Sequence, residues 1–258
     1  EITEMSQGCI CCSLVGDFGK ALRQVLETYH PDRILIEPSG VGKLSDVIRA
    51  VQNLHMEDVT LNSFTTVADA NKCKMYMKNF GEFYNDQIEH ANSIILSRTD
   101  GIKPEKLEAC VALLREHNQN ATIITTPWDQ LTGAQILETM EHKNTLEEEL
   151  KLLAEETEHE HHHHHDHDAD EVFTSWGKET AHKYSREDLD KALHALDEGA
   201  YGMILRAKGI VDGGDTWYEF DMVPGEHEIR TCGPDVTGKL CVIGSELKEH
   251  EIAELFHV

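Results

Sequence analysis

The nine residues NSIILSRTD, positions 92–100, decide how the first half of this chain folds. Ile94-Ile95-Leu96 is a continuous apolar run, too short for a helix and rich in β-branched side chains, so it reads as a strand. The run does not alternate with polar residues. Both of its faces must therefore be covered, as in a parallel sheet flanked by helices. The run ends in Ser97-Arg98-Thr99-Asp100, a polar turn carrying a base and an acid.

The same grammar extends outward from this stretch. DRILIEPSG (32–40), LNSFTTVADA (61–70) and NATIITT (120–126) are further short apolar runs ending in turn residues. Between them lie helical patterns at 16–29, 43–51, 71–91 with a break near Gly81, and 104–118. Short strands alternating with longer helices predict an α/β fold with a mostly parallel sheet over residues 1–150. Ligands of such sheets bind at the carboxyl ends of the strands. The motifs EPSG, ADA and SRTD are accordingly expected to share one rim.

The chain then changes character. Between positions 147 and 171 there are eleven Asp or Glu and one Lys, together with the run HEHHHHHDHD. Residues 155–171 show no apolar face, so residues 151–171 are read as an acidic, His-rich linker. From 172 to 258 the pattern is strand, amphipathic helix (185–196), several antiparallel strands and a closing helix, a small α+β domain. Ser185 is the expected cap of that helix, with Asp188 three residues on.

Composition narrows the partners. Of the 258 residues 40% are hydrophobic and 28% charged, a globular balance with material for a core. The net charge of −25 argues against nucleic acid and anionic membrane as partners. No run approaches the roughly 20 apolar residues of a membrane span, and no secretion leader is visible. The expected location is the cytoplasm, where seven clustered and scattered thiols favour metal binding over disulfides.

Three of those thiols fall in SQGCICCSL. Cys9, Cys11 and Cys12 offer up to three thiolates to a borderline or soft metal, from a loop made pliable by Gly8. On spacing alone, the alternative is a cluster of small packed side chains. A redox pair would favour Cys-x-x-Cys instead. His159, His161, His162, His163, His164, His165 and His167 add imidazoles among carboxylates, a tract suited to zinc, cobalt or nickel. In ILIEPSGVGK a strand end presents Glu37 and, three residues on, Gly40. Nucleotide hydrolases place an acid near a metal-bound or nucleophilic water and a Gly N–H near the terminal phosphate in this way; an ordinary strand-to-helix turn has the same appearance. Ser97, Arg98 and Asp100 correspond to a guanine-binding Asn-Lys-x-Asp with Ser in place of Asn.

In this order, Gly8-Cys9-Ile10-Cys11-Cys12, Glu37-Pro38-Ser39-Gly40, TVADA, SRTD, the His tract and the terminal α+β domain, the chain resembles the CobW-like metallochaperone GTPases over nearly its whole length. The resemblance implies a P-loop-GTPase-like sheet that hydrolyses GTP with Mg²⁺. It implies Cys9, Cys11 and Cys12 as ligands of a transferable metal, zinc by preference with cobalt and nickel admissible. Glu37 and Gly40 would lie near the γ-phosphate and Mg²⁺, and Ser97, Arg98 and Asp100 at the guanine. The partners implied are GTP or GDP and a metal-requiring client protein. Family members begin with a strand and a phosphate loop ending in Gly-Lys-Thr/Ser, upstream of the Cys motif. That first strand and loop are expected to precede Glu1 in the intact protein. The competing reading is a nucleotide-independent metal store.

Overall fold

The structure, a computed structural model, describes residues 17–38, 40, 42–143, 145–161 and 174–258. Cys9, Cys11 and Cys12 lie outside the described residues, as do His162, His163, His164, His165 and His167.

The first unit runs α1 (Asp17–Tyr29), α2 (Leu44–Gln52), β1 (Thr65–Asp69), α3 (Cys73–Asn79), α4 (Gly81–Glu89), β2 (Ser93–Ser97), α5 (Pro104–His117), β3 (Thr122–Ile124), α6 (Gly133–Met140) and α7 (Leu146–His161). Its strands form a parallel sheet in the order β1-β2-β3. Ile94, Leu96 and Ile123 pack with Ile88, Leu107 and Leu114, while Ile95 and Ile124 face Ile136 and Met140. Coverage on both sides explains why β2 carries no polar alternation.

The run 32–40 is a correction to the sequence reading. Its described residues contain no strand, and Leu35 is 81% exposed. A strand persists only where its N–H and C=O groups meet a neighbour. Among the described residues none pairs with Ile34-Leu35-Ile36.

The second unit is β4 (Thr174–Thr180), α8 (Arg186–Asp197), β5 (Met203–Asp212), β6 (Trp217–Val223), β7 (Glu226–Cys232), β8 (Gly238–Ser245) and α9 (Glu249–Leu255). Its sheet is antiparallel, ordered β4-β8-β5-β6-β7. Trp176, Leu189, Leu193, Leu196, Phe220, Leu240 and Phe256 form its core. Ser185 caps α8, its hydroxyl accepting the Asp188 N–H at 3.1 Å. Gly209 has no room for a side chain, because a Cβ there would lie 2.5 Å from both the Lys239 carbonyl oxygen and the Phe220 ring.

α7 revises the boundary between the units. Helical turns continue through Lys151 to His161, which takes in the backbone of His159 and His161. Leu146, Leu150, Leu153 and Ala154 lie at i, i+4, i+7 and i+8, and this stripe packs on Cys241 and Ile243 of β8. The glutamates at 147–149 hide the stripe in a composition count. Polar bonds also join the units. Thr125 N–H donates to the Val236 carbonyl at 3.0 Å, and Gln135 Nε2 donates to the Pro234 carbonyl at 2.8 Å. Among the described residues no helix is long and apolar enough to cross a membrane.

Candidate functional site

β1 and β2 end side by side. Their register pairs Asp69 with Ser97, and the Ala70 N–H donates to the Ser97 carbonyl at 3.1 Å, carrying the ladder one residue past β1. The Ser97 hydroxyl donates to the Ala68 carbonyl at 3.2 Å, so the residue standing for Asn stitches the two strand ends together. The chain then turns sharply. Arg98 adopts a left-handed φ of +59°, and Gly101 one of +64°. A left-handed conformation is costly for a side chain as long as arginine, so it must be held from outside.

The hold comes from β1. Arg98 Nε lies 3.2 Å from Asp69 Oδ2, and Asn71 Nδ2 donates to the Arg98 carbonyl at 2.9 Å. Asn71 is itself fixed: its N–H donates to Asp69 Oδ1 at 2.8 Å, an Asx turn, and its Oδ1 accepts from Lys106 Nζ at 2.7 Å. Thr99 is buried while Asp100 is exposed, so the turn leaves the Asp100 carboxylate open to solvent. Trp128 stands at the same strand end, half-exposed, its indole N–H donating to the Leu96 carbonyl at 2.9 Å.

Ser97, Arg98 and Asp100 are thus brought together at the carboxyl rim with Asp69. Asn71, Lys106 and Trp128 were not singled out from the sequence. An Asn two residues beyond a strand-terminal Asp was the available sign for Asn71. Trp128 carried none, because it opens a single 3-10 turn, Trp128–Gln130, that shows no apolar periodicity.

The EPSG turn does not join this rim. Gln87 Nε2 donates to the Gly40 carbonyl at 3.0 Å and to the Gly42 carbonyl at 2.7 Å. The Gln87 carbonyl in turn accepts the Thr66 hydroxyl at 2.6 Å. Thr66 is near the amino end of β1, so Gly40 is tethered at the opposite end of the strand from Asp69. The expectation of three motifs on one rim therefore holds for two. With residues 32–38 outside the sheet, no strand delivers Glu37 to the carboxyl end; Glu37 is exposed.

Cys73, Cys110, Cys232 and Cys241 are in no disulfide. The Cys-x-Cys-Cys ligands and most of the His tract lie outside the described residues, and the side chains of His159 and His161 are likewise not described.

Residues 1–125 match the family described as "CobW/HypB/UreG, nucleotide-binding domain", and residues 173–258 match "Cobalamin synthesis protein cobW C-terminal domain". The chain belongs to the CobW-like metallochaperone family. The two matched stretches correspond to the parallel-sheet unit and to the antiparallel one.

Individual relatives agree. The CobW-like chain is 28% identical over 134 residues to "Zinc-regulated GTPase metalloprotein activator 1" of Schizosaccharomyces pombe, covering 51% of this chain and 33% of that protein. It is 28% identical over 132 residues to "Zinc chaperone CobW" of Sinorhizobium sp, covering 42% of this chain and 37% of that one. For "Zinc chaperone YeiR" of Escherichia coli the figures are 23% over 133 residues, 51% and 40%. The matches thus span well under half the length of these curated relatives. The Zn(II)-bound YjiA GTPase of E. coli aligns with 92% of this chain and 74% of its own, at 17% identity and a TM-score of 0.37.

Proposed function

We propose that the full-length protein is a GTP-dependent metallochaperone that carries a transition metal, zinc by preference, and delivers it to a client protein. The observation that carries this reading is the Ser97–Asp100 turn held at the carboxyl end of β2 by Asp69, in a chain of the CobW-like family.

In this reading the Asp100 carboxylate accepts the ring N–H and amino group of guanine, a bidentate contact that adenine cannot make. Arg98, pinned by Asp69, lies over the base, and the half-exposed Trp128 ring offers a second face for stacking. Glu37 orients the attacking water. That water adds to the γ-phosphorus, the bond from the γ-phosphorus to the β–γ bridging oxygen breaks, GDP leaves, and the proton of the water passes to phosphate. The tether of Gly40 to Gln87 means that the 37–42 turn must move relative to β1 for Gly40 to meet the γ-phosphate. Bound with GTP, Mg²⁺ would neutralise phosphate charge, and the exposed carboxylate of Glu37 would be a hard oxygen donor able to hold it.

The cargo is held by thiolates of Cys9, Cys11 and Cys12, a three-ligand set that leaves a position open for transfer. The imidazoles of residues 159–167 gather metal at lower affinity. Because the Cys motif and Glu37 are close in sequence, the γ-phosphate is positioned to couple to the thiolate loop. Metal is held in the triphosphate state and released to the client after hydrolysis.

The test is titration of the full-length protein with fluorescent GDP and GTP analogues, with an adenine analogue as control. Selective binding of the guanine nucleotides is expected. Absence of guanine-nucleotide binding would leave a nucleotide-independent metal store.

A further inference from the structure

α8 and β7 bring three metal-ligand side chains together, outside both the Cys motif and the His tract. Asp190 and His194 are one helical turn apart and share a face of α8. His227 is the second residue of β7. His227 Nε2 lies 2.9 Å from Asp190 Oδ1, and His194 Nδ1 lies 3.5 Å from Asp190 Oδ2. The two imidazoles meet edge to face with centroids 4.6 Å apart. One ligand atom from each residue falls within 4.8 Å of the others, the one such cluster among the described residues.

This arrangement is built into the domain. The other face of α8 carries Leu189, Leu193 and Leu196, all fully buried, which fixes the helix rotation. Ile229, two residues from His227 and so on the same face of β7, is buried in the same core. At the end of α8 the Asp197 carboxylate accepts the Gly225 N–H, at 3.0 and 3.1 Å to its two oxygens, which clamps the β6–β7 turn to the helix. Contacts besides those among the three ligands therefore also hold α8 against β7.

The chemistry matches a borderline divalent cation. Two imidazoles and one carboxylate suit Zn²⁺, Co²⁺ or Ni²⁺, whereas Mg²⁺ and Ca²⁺ prefer oxygen alone. With metal–ligand bonds of about 2.0–2.1 Å, tetrahedral ligand atoms stand roughly 3.3 Å apart. The 2.9 Å between His227 Nε2 and Asp190 Oδ1 is close to that value, and one ligand atom of His194 lies within 4.8 Å of the other two. His194 Nδ1 also lies 2.9 Å from its own helix carbonyl, that of Asp190. A proton donated there leaves the lone pair on Nε2, the outer-shell device that orients metal-binding histidines. Asp190 and His194 are 51% and 67% exposed and His227 15%, so an ion would enter from solvent and keep at least one open position.

We propose that Asp190, His194 and His227 form a second, exchangeable zinc site on the C-terminal domain. It is independent of the thiolate site, and it places a metal-accepting surface on the half of the molecule remote in sequence from the Cys loop.

The test uses the full chain with Cys9, Cys11 and Cys12 changed to Ser and the seven histidines at 159, 161–165 and 167 changed to Asn. Zinc is titrated against a fluorescent chelator. One remaining equivalent is expected, its affinity lowered at least tenfold by His194→Gln or Asp190→Asn. His227→Gln should do the same while keeping a donor for Asp190, which separates metal ligation from a structural clip. No remaining equivalent, or one untouched by these changes, would overturn the site. Should a variant fail to fold, ¹⁵N-histidine spectra of the otherwise unaltered background chain decide the matter. Zinc-dependent shifts at His194 and His227 are expected, and unmoved resonances would refute the proposal.

Discussion

Arg98 and Asp69 meet at 3.2 Å across the ends of two parallel strands, although they are far apart in the chain. The pairing of Asp69 with Ser97 makes the contact unavoidable, because it sets the first residue after β2 beside the last residue of β1. The candidate base-binding arginine is thus aimed by a carboxylate on the neighbouring strand.

That relationship separates positioning from recognition. Asp100→Ala is expected to weaken guanine-nucleotide binding about 10- to 100-fold in the full-length protein, the loss of charge-assisted hydrogen bonds worth about 1.5–3 kcal/mol. Asp69→Asn frees Arg98 without touching the base, so a smaller loss of about fivefold is expected with guanine-over-adenine preference retained. Titration of all three proteins with guanine and adenine analogues checks both.

Trp128 is half exposed at the strand end, whereas Trp176 and Trp217 are buried in the second unit. Guanine nucleotide should therefore quench tryptophan emission, and Trp128→Phe should remove the change while leaving emission from the other two. A quench that survives in Trp128→Phe would show that the base lies elsewhere.

The ion pair of Arg115 with Glu179 joins α5 to β4 at 2.7 Å, with Arg115 Nη1 also donating to the Ala121 carbonyl at 2.6 Å. Burial pushes the Glu179 carboxyl up and the Arg115 guanidinium down, so desolvation outweighs their mutual attraction. Arg115→Ala leaves Glu179 buried without its cation and should cost about 3–5 kcal/mol in urea unfolding. The sign with pH follows from the raised carboxyl: Glu179's contribution is complete below its unfolded value near 4.3 and is lost as pH rises through the higher folded value. The stability of the parent relative to Glu179→Gln should accordingly fall as pH rises above the unfolded carboxylate value. A gap constant above that value would contradict the assignment.

Asn118 is a buried joint in the first unit. Its Nδ2 donates to the carbonyls of Ile88 and Ala91 at 2.8 and 2.7 Å, and its Oδ1 accepts the N–H groups of Asn120 and Ala121 at 3.1 and 2.9 Å. Asn118→Ala removes four hydrogen bonds together, to two carbonyls and from two amides. A loss of about 2–4 kcal/mol is expected in thermal or urea unfolding, with nucleotide affinity unchanged below the transition.

How much of this was legible from the sequence differs by element. The β2 run announced its two covered faces, and the break at Gly81 falls where α3 gives way to α4. Ser185 capped α8 as its residue type suggests. Residues 32–38 misled because an apolar run states a need for burial, and a strand also needs a neighbour to bond with. α6 went unread despite its capping box, in which the Thr132 hydroxyl accepts from Gln135 N–H and the Gln135 side chain accepts from Thr132 N–H. α7 was cut short because charge masked a four-residue apolar stripe. At the rim, Ser97, Arg98 and Asp100 were visible as a motif. Asn71 and Lys106 act only through tertiary placement and left little trace in local sequence.

The proposed chaperone couples nucleotide state to cargo. The most direct measurement is the zinc affinity of the full-length protein, loaded in turn with a non-hydrolysable GTP analogue and with GDP, and read by chelator competition. A ligand shifts states only through differential affinity, so this coupling predicts zinc held at least tenfold tighter in the triphosphate form, with the difference abolished by Cys11→Ala and Cys12→Ala together. Equal zinc affinity in the two nucleotide states would contradict it.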